Sequence, residues 1–212
     1  MTVRERLWRK ATAEQQLIAC IGLAGFLCRF YEKYRNGIEF RNLTAHMDWL
    51  WEAVTVGKPK KRPPINTQSD ADCYLPDADT GVGERGIGQV AAVAVFLATD
   101  AFNVVPEKGA TGIWDIFEEA YEHASETEED DTAYQAGFNA LSQKTTEEFR
   151  ARLRALNNMP RKSAHAKRVR LAFKEAEDAV KAYLAAGEGD NWAAIALRQR
   201  LDEIDVKPLL IR

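Results

Sequence analysis

The stretch VAAVAVFLA, residues Val90 to Ala98, runs for nine positions without a charge or a hydroxyl, and the chain continues through Thr99-Asp100-Ala101-Phe102 to Val105 before Pro106 stops it. It is too long and too rich in alanine for a buried strand, and too short to span a bilayer, so it reads as a helix that is apolar all round. A helix of that kind has to be surrounded. The segments on either side each carry a single apolar stripe, which places the stretch at the centre of a helical bundle.

Upstream, Thr2 with Glu5 and Thr12 with Gln15 have capping-box spacing, so a short lead helix precedes a long one that ends near Tyr34 and Gly37. Leu17, Ile21, Ala24, Cys28 and Tyr31 form the stripe of the long helix. Phe40, Leu43, Met47, Leu50 with Trp51, and Val54 repeat at three and four and predict a second helix ending at Gly57, antiparallel to the first across a short turn. From Lys58 to Gly88 the periodicity disappears among four prolines and four glycines, which predicts a long surface loop.

Downstream, Ile113, Ile116 with Phe117, Ala120 with Tyr121, and Ala124 mark a helix with an acidic far face. Tyr134, Phe138 and Leu141 predict another, and Phe149, Leu153 and Leu156 a third behind a capping box from Thr145 to Glu148. A long helix carries Val169, Ala172, Phe173, Ala176, Val180, Tyr183 and Leu184 and stops at Gly187. Asp190 caps a last one bearing Trp192, Ile195, Leu197, Leu201 and Ile204. With no strand pair and no repeat period, the expectation is an all-α, single-domain bundle of seven or eight helices over residues 1–212.

The 212 residues are 46% hydrophobic, enough for one substantial core, and the formal net charge of −3 lacks the basic surplus that normally accompanies nucleic-acid binding, so nucleic acid is disfavoured. Three cysteines is an odd count. Cys20 and Cys28 lie eight positions apart on one helix, roughly 12 Å of rise, and so cannot bridge each other; with Cys73 in a polar loop they read as reduced, cytoplasmic thiols. The apolar run from Leu17 to Cys28 follows a basic N-terminus but leads with helical spacing into Arg29-Phe30-Tyr31, so a buried helix is a better reading than a signal peptide or membrane anchor.

Few residues carry chemistry. Gly81-Val-Gly83-Glu-Arg-Gly86 matches the dinucleotide-binding fingerprint by letter, yet no strand precedes it, and without the strand the turn does not deliver a pyrophosphate to a helix N-terminus. His46, His123 and His165 fall on three different helices without metal-ligand spacing, and each reads as a solvated or capping side chain. No serine or cysteine sits in a nucleophile elbow. Trp49 and Trp51 could cage a ligand with Tyr31 or Tyr34, although an aromatic stripe at helical spacing is core or interface first. No cofactor, no metal and no catalytic residue is implied.

The least random feature is the segregation of charge. Between Lys108 and Lys144 stand nine acids, Asp115, Glu118, Glu119, Glu122, Glu126, Glu128, Glu129, Asp130 and Asp131, without a lysine or arginine. From Arg150 to Lys174 the reverse holds, with Arg150, Arg152, Arg154, Arg161, Lys162, Lys167, Arg168, Arg170 and Lys174 and no acid. Unless the two blocks neutralise each other inside the fold, the surface has an acidic and a basic pole, and the nine acids are the candidate partner-binding residues.

Phe26-Leu-Cys-Arg-Phe-Tyr-Glu-Lys-Tyr34, Leu50-Trp-Glu-Ala-Val-Thr-Val56, Leu75-Pro-Asp-Ala-Asp79 and Ala98-Thr-Asp-Ala101 together resemble the bacterial family catalogued as domain of unknown function 416, over about the first half of the chain. The resemblance implies an all-helical fold and a cytoplasmic bacterial protein, and brings no catalytic residues. The glycine run Gly81 to Gly88 and the helix after Asp190 depart from it. The expected function is non-catalytic: binding of a protein partner, in particular by an immunity protein that neutralises a toxin domain with a basic face. The alternative is a small-ligand binder or enzyme with a pocket between helices near Trp49, Trp51 and the 81–88 loop.

Overall fold

The computed structural model describes residues 2–31, 38–57, 63–65, 87–103, 112–125, 164–187 and 190–206. They hold seven helices: α1 (Val3–Lys10), α2 (Ala13–Tyr31), α3 (Ile38–Thr55), α4 (Ile87–Asn103), α5 (Ile113–Ser125), α6 (Ala164–Ala186) and α7 (Asn191–Glu203). No strand occurs among the described residues, and the fold is an all-α bundle around a central hydrophobic helix. The helices expected at Tyr134–Leu141 and Phe149–Leu156, and the glycine run Gly81–Gly86, lie outside the described residues.

Local signals set the helix ends. Thr2 Oγ1 accepts from Glu5 N–H at 3.2 Å while the Glu5 carboxylate accepts from Thr2 N–H at 2.7 Å. Thr12 and Gln15 repeat the reciprocal arrangement at 3.2 and 2.9 Å ahead of α2, so both boxes satisfy donors that the first turn leaves open. Gly57 follows α3 at φ 110° and Gly187 follows α6 at φ 69°, left-handed backbone that favours glycine. Asp190 Oδ1 accepts from Ala193 N–H at 2.7 Å and starts α7.

The central place belongs to α2. From Leu17 to Phe30 every residue is buried except Gly25 and Arg29, which are half-buried, and each of α3 to α7 packs against it. The single stripe expected for this helix thus widens to nearly the whole circumference between Leu17 and Phe30. Helix α4 lies along α2 more extensively than any other helix does, and it also touches α3 and α5. Val90, Ala91, Ala92, Ala94, Val95 and Ala98 are buried, whereas Val93, Phe96 and Leu97 are half-buried. These three share one side of α4 with exposed Asp100, at helical spacings of three and four, so the stretch that looks apolar all round is buried on most of its circumference but not all.

Two close approaches tighten the bundle. A Cβ on Gly22 would lie 3.0 Å from Leu201 Cδ1 and 3.8 Å from the Trp51 ring, so glycine lets α3 and α7 seat directly on the α2 backbone. At the far end of α2, the Arg29 guanidinium donates to the Leu201 carbonyl at 2.8 Å and to the Ile204 carbonyl, closing the C-terminus of α7. In α7 the buried stripe is Ala194, Leu197 and Leu201, continued by Ile204 just past the helix. Trp192 and Ile195, expected to share it, are exposed at 78% and 36%; they occupy the opposite side because they are out of phase with the three-and-four spacing of the buried set.

Candidate functional site

His46 on α3 is neither solvated nor capping, contrary to expectation. It is fully buried, stacked on Trp49 with ring centroids 6.1 Å apart and planes 12° from parallel. Thr99 Oγ1 donates to the Val95 carbonyl at 2.8 Å and so accepts from His46 Nε2, 2.9 Å away, while Nδ1 accepts from Ile65 N–H at 3.3 Å. Both contacts suit one neutral tautomer, and burial pushes the imidazole pKa down to about 4. His46 is a clamp joining α3, α4 and the 63–65 segment. His165 meets expectation: its Nε2 caps the Ala124 carbonyl at the end of α5, 2.8 Å away. His123 stands 3.9 Å from Glu119 on the same helix.

The two tryptophans do not form a cage. Two positions apart on a helix, they point in nearly opposite directions. Trp51 is buried against Gly22 and Gly25 of α2, with the Arg198 guanidinium 5.7 Å from its ring centroid. Trp49 is half-buried, with its ring edge-to-face to Phe102 at 5.5 Å. The 81–86 part of the glycine loop and the Tyr31 and Tyr34 side chains lie outside what is described. Cys20 and Cys28 are buried and not disulfide-bonded, and burial raises the Cys20 thiol to about 12, which keeps it a packing residue. Among the described residues no group of three acids, histidines or cysteines is arranged to hold a metal, and no helix is long and apolar enough to cross a membrane.

The acidic block is described in its first half. Asp115, Glu118, Glu119 and Glu122 are all exposed on α5, directly opposite the buried Ile113, Phe117, Ala120 and Ala124. Glu126, Glu128, Glu129, Asp130 and Asp131 lie outside the described residues. Of the basic block, Lys167, Arg168, Arg170 and Lys174 are exposed on α6. Helices α5 and α6 pack side by side, yet no described residue of α6 forms an ion pair with Asp115, Glu118 or Glu119. Glu118 pairs instead with Arg4 from α1, whose guanidinium lies 5.0 Å from the Trp114 ring centroid.

Where α1, α5 and α6 meet, an open groove of about 490 Å³ forms. Its floor is Phe117 and Tyr121 from α5 and Phe173 from α6, with Phe173 4.9 Å from Phe117 and 5.6 Å from Tyr121 between ring centroids. Phe26 of the central helix supports this floor from behind, 5.3 Å from Phe173 and 6.0 Å from Phe117. Arg4 and Glu118 form one rim; Arg170, Lys174 and Glu177 form the other. Glu177 is held by Lys181 at 2.9 Å. The sequence marks Arg170 and Lys174 as members of a basic block, but nothing in it shows that a residue of the lead helix lies against α5, 114 positions away.

No family model matches the chain, no curated protein matches its sequence, and no solved structure matches its fold.

Proposed function

We propose that this chain is a non-catalytic protein-binding module, in particular a bacterial immunity protein that neutralises a toxin by direct binding. One observation carries the reading: the acidic stripe of α5 is exposed on a helix whose other side is locked into the core, and the neighbouring cationic helix does not cover it. A stripe of one sign on a rigid helix steers an oppositely charged partner and speeds its capture without an assembled catalytic site. A cytoplasmic bacterial setting is part of the same proposal.

The test is a pull-down from the native organism, followed by charge reversal of Asp115 and Glu119 to lysine. Association with the captured partner should slow and lose salt dependence, because exposed charges act through steering. Stability should move by less than about 0.5 kcal/mol, since neither side chain is buried. Unchanged association would remove the acidic stripe from the interface, and recovery of no partner would remove the protein-binding reading itself.

A further inference from the structure

We infer that the groove between α1, α5 and α6 is a binding site for a small aromatic carboxylate. The inference is independent of the protein-binding reading, and a failed pull-down leaves it standing. The volume, about 490 Å³, is that of a cleft for one drug-sized molecule. The floor is aromatic: Tyr121 is half-buried, and Phe117 and Phe173 below it are fixed by ring contacts to each other and to Phe26. Such a floor favours a flat apolar body stacked offset or edge-to-face.

The rims decide the charge of the ligand. Three cations, Arg4, Arg170 and Lys174, face two carboxylates, Glu118 and Glu177. Both carboxylates are engaged, Glu118 by Arg4 and Glu177 by Lys181. Arg170 and Lys174 make no ion pair among the described residues, and both are exposed on the same rim, one helical turn apart. They are the charges left to meet a ligand, and a guanidinium fork beside an ammonium matches a planar carboxylate. A cationic ligand would meet them with like charge; a neutral one would leave them to water.

Three indoles of similar shape and different charge test this: indole-3-acetate, indole-3-acetamide and tryptamine, titrated into the full chain by calorimetry and by amide shift changes in nuclear magnetic resonance. The acetate should bind about tenfold tighter than the acetamide, the difference made by one charge-assisted pair, with tryptamine weakest and shifts centred on Tyr121, Arg170 and Phe173. The double variant R170Q/K174Q should bring the acetate to the affinity of the acetamide and leave the acetamide unchanged. That second ligand shows that the floor is intact, so a loss of fold is not mistaken for a loss of charge. Equal affinity for acetate and acetamide, no saturable binding of the acetate, shifts centred elsewhere, or a double variant that keeps the preference would each overturn the assignment.

Discussion

Helices α2 and α4 are the two most apolar segments of the molecule, and they solve burial differently. Helix α2 puts Phe26, Phe30, Ile18, Ile21, Leu23 and Leu27 in the core at 1% exposure or less, and five helices surround it. Helix α4 buries mainly alanine and valine against α2 and leaves Val93, Phe96 and Leu97 half-buried. Small residues let α4 approach α2 closely along its length. Large ones let α2 fill the spaces between all its neighbours, so volume decides which helix is central as much as mean hydropathy does.

The sharpest way to break this comparison is truncation. Phe26→Ala should cost about 3 to 5 kcal/mol, because Phe26 touches Phe30, Phe117 and Phe173 and its loss leaves a cavity among rings. Phe96→Ala, on the half-buried side of α4, should cost about 1 to 2 kcal/mol. Equal losses in urea unfolding would mean that α4 shares the central position.

Next in size is the clamp that ties α4 to α3. His46 in the folded chain has a pKa of about 4 against 6.5 for the free side chain. Between those values the unfolded chain binds more protons, so this contribution to stability is complete above pH 6.5 and is lost as pH falls toward 4. The loss is about 3 kcal/mol at most. His46→Gln should flatten the pH dependence of the urea midpoint over that window relative to wild type. An unchanged slope would show that other groups carry it.

Gly22→Val tests the closeness of approach to α2 and should cost about 1 to 3 kcal/mol. A β-branched side chain there meets Leu201, Leu197 and the Trp51 ring. Gly22→Ala should cost less, since the nearest atom, at 3.0 Å, is the end of a leucine that can shift. The smallest effect belongs to Val93→Ala, under about 1 kcal/mol, because the lost methyls are half-buried already. A larger loss there would place α4 deeper than its burial pattern does.

Much of the fold was legible because it follows local rules. The capping pairs Thr2–Glu5 and Thr12–Gln15, the stops at Gly57 and Gly187, and the stripe from Val169 to Leu184 depend on neighbours within about four positions. Trp192 and Ile195 leave the expected stripe for the converse reason: both are apolar, but their phase relative to Leu197 and Leu201 puts them on the solvent side. The charge segregation was legible as a pattern, and the fate of its charges was not. Whether Glu118 pairs with Arg170 or with Arg4 depends on where α1 lies, and no periodicity encodes that.

The sequence by itself determined an all-α chain, the helix ends, which faces are apolar and where charge of each sign collects, since these depend on short-range backbone geometry and on side-chain period. The tertiary structure alone decided that α2 and not α4 is central, that His46 is a buried neutral clamp, that Trp49 and Trp51 pack apart, and that α1, α5 and α6 line an aromatic groove with two cations that make no ion pair among the described residues. The physical reason is the same in each case. Packing of large side chains and pairing of distant charges are settled by contacts between residues far apart in the chain, which compete for the same space and the same partners only once the helices are assembled.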